Sequence, residues 1–200
     1  MSNVVEFIFD FASPNAYLAH KVLPSILTRT GATVEITPCL LGGIFKATGN
    51  QAPFASFGHV QNKMNYEQKE MQRFIEQHGL TAFQFNPHFP VNTLALVRGA
   101  VAAAEEGALD AYVEVGLAAM WELGLKMDDP EVYVQAMNDA GLDGQALLEK
   151  TQDPDVKARL IQNTEQAAER GAFGIPTFFV GDEMFFGKDR LEQVEAELNR

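Results

Sequence analysis

FDFASPNAYLAHKVL, residues 9–23, is the stretch on which the fold turns. It opens as the end of an apolar run, VVEFIFDF (4–11), rich in β-branched and aromatic residues as a buried strand is. From Ser13 the period changes. Tyr17, Leu18, Val22, Leu23, Ile26 and Leu27 recur at helical spacing, and Gly31 supplies the stop. Pro14 suits the first helical position, where a missing N–H costs no hydrogen bond. TVEITPCLL (33–41) reads as a second strand. Strand–helix–strand implies a parallel pair with a right-handed crossover.

GGIFKATGNQAPFASFGHVQN (42–62) is too long for a simple connector and reads as a candidate binding loop. Helical periods then take over. Met64, Met71, Phe74 and Ile75 share a face ending at Gly79; Leu94, Val97 and Val101 lead to Gly107; Leu109, Tyr112, Val113, Leu117 and Met120 lead to Gly124. Asp129-Pro130-Glu131 and Asp153-Pro154-Asp155 each combine an N-cap, a first-turn proline and an acid, and the second starts a helix running to Arg170-Gly171. GIPTFFVGDEMFFG (174–187) is two short β-rich runs around a turn, a hairpin signal, and KDRLEQVEAELNR closes as an amphipathic helix. The order predicts an α/β domain built from the two ends of the chain, 1–43 and 172–200, with part of the 153–171 helix. An all-helical insertion over 44–171 separates them.

With 46% apolar and 21% charged residues over 200 positions, the chain can bury a sizeable core. A formal charge of −12 argues against a nucleic-acid surface and against an anionic membrane face. An anionic substrate would need a local basic pocket. Cys39 is the single cysteine, so neither an intramolecular disulfide nor a Cys-x-x-Cys pair exists. MSNVVEFIFDF has an acid, no basic region and too short an apolar run for a signal peptide. No window approaches the roughly 18–20 apolar residues of a membrane helix. The expectation is a cytoplasmic protein. Histidines 20, 59, 78 and 88 are scattered without a metal-ligand pair, so no metal is expected.

Many redox proteins place a reactive cysteine at such a strand–helix join; here it is Ser13. Two readings of that serine stand side by side. One is an N-cap. The other is a hydrogen-bond donor to a thiolate brought by a bound cofactor, since a helix start carries partial positive charge and unpaired N–H groups. Lowering a thiol of pKa near 8.5 by about 2 units needs about 2.7 kcal/mol. A hydroxyl bound to a charged sulfur supplies roughly 1.5–3 kcal/mol and a helix end up to about 2. Pro176 opens a strand, which an edge position tolerates. Asp189, in FFGKDRL, either complements the helix start or holds the ammonium of a ligand.

FDFASPNAYLA, GGIFKATGNQAP, NKMNYEQKEMQRF, FPVNTLALVRG, ERGAFGIPTFFV and FFGKDRL follow one another in the order of a known family. Together they resemble the kappa-class glutathione transferase and 2-hydroxychromene-2-carboxylate isomerase family, in the DsbA-like branch of thioredoxin folds. The resemblance implies a thioredoxin-like domain with a large helical insertion, and glutathione as cofactor. Ser13 would face the glutathione sulfur, and Asn50 and Lys63 would contact the tripeptide backbone and carboxylate. Ile175, before a cis Pro176, would pair with the cysteinyl backbone, and Lys188-Asp189 would hold the γ-glutamyl end. Lys188 departs from the smaller residue of some relatives, so only its backbone is carried over, and Arg190 would support Asp189. Lys63 has an alternative as one charge on a solvated helix face. Lys46, beside the 42–62 segment, is a candidate for a substrate carboxylate or a solvated lysine.

The stretch from Asn50 to Lys63 looks more like the bacterial isomerase branch. That implies a glutathione-dependent cis–trans isomerase of an aromatic pyruvate-type acid, acting as a homodimer. A glutathione transferase and a non-enzymatic glutathione-binding protein are the alternatives. A thiol–disulfide oxidoreductase is disfavoured because SPNA (13–16) stands where Cys-x-x-Cys would be.

Overall fold

Val5, Phe7, Ile8 and Phe9 are all buried, so the strand that carries them, β1 (Val4–Phe9), is covered on both faces and lies inside a sheet. The computed structural model describes residues 3–200. β2 (Thr33–Pro38) runs parallel to β1, with Phe9 opposite Pro38. On the other side β3 (Thr177–Val180) is antiparallel, with Ile8 opposite Thr177, and β4 (Glu183–Phe186) completes the order β2-β1-β3-β4. The crossover from β1 to β2 is α1 (Pro14–Thr30), stopped by Gly31 at φ 67°, the left-handed conformation glycine tolerates.

Between β2 and β3 every element is helical: α2 (Leu41–Thr48), α3 (Pro53–Phe57), α4 (Gln61–His78), α5 (Leu94–Glu105), α6 (Leu109–Trp121), α7 (Pro130–Asp139), α8 (Gly144–Lys150) and α9 (Pro154–Glu169). A short 3-10 turn, Lys188–Arg190, leads into α10 (Leu191–Leu198). Asp129 and Asp153 cap α7 and α9 by accepting from the Glu131 and Asp155 N–H groups.

Two expectations are corrected. The strand read over 33–41 ends at Pro38, and the segment read as a loop over 42–62 contains α2 and α3. The cause is tertiary. The Leu40 N–H is taken by Thr164 Oγ1 at 3.0 Å and the Leu41 N–H by Asp10 Oδ2 at 2.7 Å, so the chain leaves the sheet and starts a helix. Asp10 likewise ends β1 two residues before the sequence pattern does.

The core is continuous across sheet and helices. Phe7 stacks on Phe178 at 4.9 Å between centroids, and Phe9 meets Phe11 edge-on at 4.7 Å. Trp121, fully buried, donates from Nε1 to the Phe11 carbonyl at 2.9 Å. α6 approaches so closely that a Cβ on Gly116 would lie 2.4 Å from Phe11 Cε1. A polar seam then locks α1 to α6. Glu122 accepts from the Tyr17 hydroxyl at 3.0 Å, and Lys21 pairs with Glu114 and Glu122 at 2.8 and 3.3 Å. His20 meets Glu114 at 2.6 Å; that contact first, and Lys21 after it, holds the Glu114 carboxyl down to about 2. The helix that begins at Ser13 is therefore fixed along its first two turns.

Candidate active site

The site begins with a buried acid. Asp10 accepts from the Ala12 N–H at 2.9 Å, the Leu41 N–H at 2.7 Å and the Thr93 hydroxyl at 2.7 Å. One carboxylate thus joins the end of β1 to the starts of α2 and α5. Burial pushes its carboxyl up, against the pull of those three donors. The Cys39 thiol is pushed up too, by burial first and by Asp10 and Glu6 after it, which makes it a core group and no nucleophile.

Ser13 follows in extended backbone conformation, φ −96° and ψ 116°, and is 5% exposed. Its Oγ accepts from the Ala16 N–H at 3.3 Å, which is the N-cap of one reading. The same hydroxyl donates to the Ile175 carbonyl at 2.9 Å, across 162 residues. Capping and a second contact therefore coexist. The serine sits against the Ile175-Pro176 bond, which is cis, and the Pro176 carbonyl accepts from the Gly187 N–H at 2.9 Å. Lys188 and Asp189 come directly after. The Ile175 N–H has no acceptor among the described residues, while its carbonyl is already engaged by Ser13.

Asn50 joins this group by donating from Nδ2 to the Phe173 carbonyl at 2.7 Å, and Phe173 packs on Phe186 at 4.4 Å between centroids. Ser13, Asn50, Ile175, Pro176, Lys188 and Asp189 are thus linked by contacts that all run through the 173–189 segment. The Lys188 ammonium pairs with the Asp189 carboxylate and lies 4.7 Å from the Phe74 ring of α4. Arg190 reaches the Asp189 carbonyl at 3.3 Å, not its carboxylate as expected of a supporting residue. Lys63 stands apart: it pairs with Glu67 one turn on at 3.3 Å and lies 4.7 Å from the Phe57 ring. Lys46 is exposed near the end of α2 and has no ion-pair partner among the described residues.

Sequence reasoning missed an aromatic wall. Phe54 and Phe85, 50% and 53% exposed, both pack edge-on against Phe89, at 5.7 and 5.1 Å. Phe85 and Phe89 pack in turn on Trp121, whose indole binds Phe11 two residues before Ser13. Phe85 and Phe89 are four residues apart in the connection between α4 and α5, but Phe54 comes from α3, so no single pattern along the chain marks the three. Asp10 was missed as well; its signal is an acid closing an apolar strand between two phenylalanines. Among the described residues no cluster of three or more His, Cys, Asp or Glu is placed to hold a metal, and no helix is long and apolar enough to cross a membrane.

A thioredoxin-type sheet, a helix starting at the end of its first strand and a cis proline facing that start define the class. The chain belongs to the DSBA-like thioredoxin domain family, whose model matches residues 4–199. It is 30% identical over 198 residues to the 2-hydroxychromene-2-carboxylate isomerase of Sphingobium xenophagum, covering 99% of each chain. It is 26% identical over 215 residues to glutathione S-transferase kappa 1 of Homo sapiens, covering 96% of this chain and 89% of that one. A solved 2-hydroxychromene-2-carboxylate isomerase matches with a TM-score of 0.85 at 30% identity, covering 98% of this chain and 95% of the other.

Proposed function

We propose that this protein is a glutathione-dependent isomerase that interconverts 2-hydroxychromene-2-carboxylate and trans-o-hydroxybenzylidenepyruvate. The observation that carries the reading is the Ser13 hydroxyl, held 2.9 Å from the Ile175 carbonyl at the start of α1, where no cysteine competes with a bound thiol. Likeness over nearly the whole chain to isomerases of that substrate supports the reaction.

The residues fit a γ-glutamyl tripeptide. Ile175 offers an unused N–H to a peptide carbonyl, Asp189 an exposed carboxylate to an ammonium, and Asn50 an amide beside Phe173, while Lys63 would have to leave Glu67 to reach the tripeptide carboxylate. Glutathione held here would supply a sulfur nucleophile for reversible addition to a double bond whose conjugated carbonyl takes up the electron pair and returns it when the thiol leaves. Ser13, whose hydroxyl proton rests on the Ile175 carbonyl, would turn it to the sulfur, and the α1 start would add its partial positive charge. Phe54, Phe85 and Phe89 offer faces and edges to an aromatic ring. Lys46, exposed and without an ion-pair partner among the described residues, is the cation for the substrate carboxylate that a chain of charge −12 must supply locally.

In this reading residues 1–43 and 172–200 form the glutathione platform, 44–171 covers it, and a cytoplasmic homodimer is the working form. The decisive test is the fate of the thiol. With a trace of glutathione and excess 2-hydroxychromene-2-carboxylate, absorbance should run to the isomerisation equilibrium while free thiol stays constant. Thiol consumed mole for mole with substrate would make the protein a transferase, and binding of glutathione without turnover would leave a binding protein.

A further inference from the structure

Lys188 is 5% exposed and is the one buried lysine or arginine among the described residues. Its ammonium is roofed by Phe74 of α4, and Asp189 is its one hydrogen-bond acceptor among those residues. An ammonium taken from water is unfavourable unless paired, and an aromatic face offsets only part of that loss. The Asp189 side chain, by contrast, is 63% exposed. The two make a fixed plus–minus pair with the minus end outermost. Arg190 adds a second, exposed cation beside Asp189, its guanidinium meeting the Asp189 carbonyl and leaving the carboxylate paired with Lys188.

A ligand ammonium held by the free oxygen of Asp189 would lie about 5–7 Å from the Lys188 nitrogen, given ordinary hydrogen-bond lengths on the two oxygens of one carboxylate. At that separation the two cations repel. An α-amino-acid end carries a carboxylate one carbon from its ammonium and so cancels the repulsion; a simple amine does not. We infer that Lys188 makes this subsite selective for zwitterionic α-amino-acid ends over simple amines. The inference rests on the reading that Asp189 takes the γ-glutamyl ammonium. Lys188 acts through charge, where the backbone carried over from the family resemblance could not.

Calorimetric titration of the full chain with three thiols tests it: glutathione, 4-aminobutyryl-Cys-Gly, which lacks the α-carboxylate, and glutaryl-Cys-Gly, which lacks the α-amino group. Lys188→Met should bind the amine-only analogue about tenfold more tightly than the wild type, and glutathione and the carboxylate-only analogue severalfold more weakly. Lys188→Arg should keep the wild-type order of preference. Equal changes for all three thiols would overturn the inference and mark Lys188 as a packing residue, as would Lys188→Arg behaving like Lys188→Met. Should Lys188→Met lack the native circular dichroism, Lys188→Gln is read in the same way. Failure of the wild type to bind any of the three would overturn the glutathione reading itself, and this inference with it.

Discussion

Turnover at neutral pH is expected to fall by up to about tenfold when Ser13 becomes alanine, because about one pKa unit of thiol activation disappears. The size follows from what the hydroxyl already does. Its proton rests on the Ile175 carbonyl at 2.9 Å, a neutral hydrogen bond of about 0.5–1.5 kcal/mol net. Redirected to a thiolate it makes a charged one of roughly 1.5–3 kcal/mol. The gain is the difference, about 1–1.5 kcal/mol, and 1.36 kcal/mol is one unit. The thiol absorbance titration of the glutathione complex should therefore move up by about one unit. The pH–rate profile should shift with it, the two enzymes converging at high pH. The variant also loses an N-cap, so its unfolding free energy should drop by about 1 kcal/mol. An unchanged titration with that same drop would reduce Ser13 to a cap.

Asp10→Ala should be the most destabilising of the substitutions considered, by about 3 kcal/mol or more. It orphans the Ala12 and Leu41 N–H groups and the Thr93 hydroxyl, and a buried donor without a partner loses about 1–3 kcal/mol. Against net stabilities of roughly 5–15 kcal/mol, that is a large share. The effect should also depend on pH. Burial raises the Asp10 carboxyl above its unfolded value, so the folded state holds that proton more tightly. Its contribution to stability is then fully present below the unfolded value, near 3.9, and is lost as pH rises through the raised folded one. The deficit of Asp10→Ala relative to the wild type should shrink from pH 4 towards pH 8 in urea titrations. A variant within about 1 kcal/mol of the wild type throughout would show that water or other groups satisfy the three donors.

The caps of α7 and α9, the glycine stop of α1 and the hairpin of β3 and β4 were legible because each depends on neighbours within a few residues. The helix over 61–78 was legible from its period, yet none of its residues is fully buried. A period reports which face is apolar and says nothing of how tightly it is covered. Asn50, Ile175 and Asp189 were picked out by resemblance in the order of six motifs, and in the structure Ser13 and Asn50 both make hydrogen bonds to the 173–175 segment that leads to Asp189. Lys63 was picked out with them but is held by Glu67 and Phe57, one turn away and across α3. The burial of Lys188 beneath Phe74 had no signal at all, since the two are 114 positions apart (188 − 74).

By itself the sequence determined the sheet's strands, most helices and the serine at the first strand–helix join, all of them set by local period, capping and turn chemistry. Tertiary structure decided the rest. It ended β2 at Pro38 by giving the Leu40 and Leu41 N–H groups to Thr164 and Asp10, and so made a helix of a segment that reads as a loop. It also set the Ser13 hydroxyl on a carbonyl 162 residues away and gathered Phe54, Phe85 and Phe89 into one wall. A hydrogen bond is chosen by which partner burial brings within about 3 Å, and no pattern along the chain records that distance.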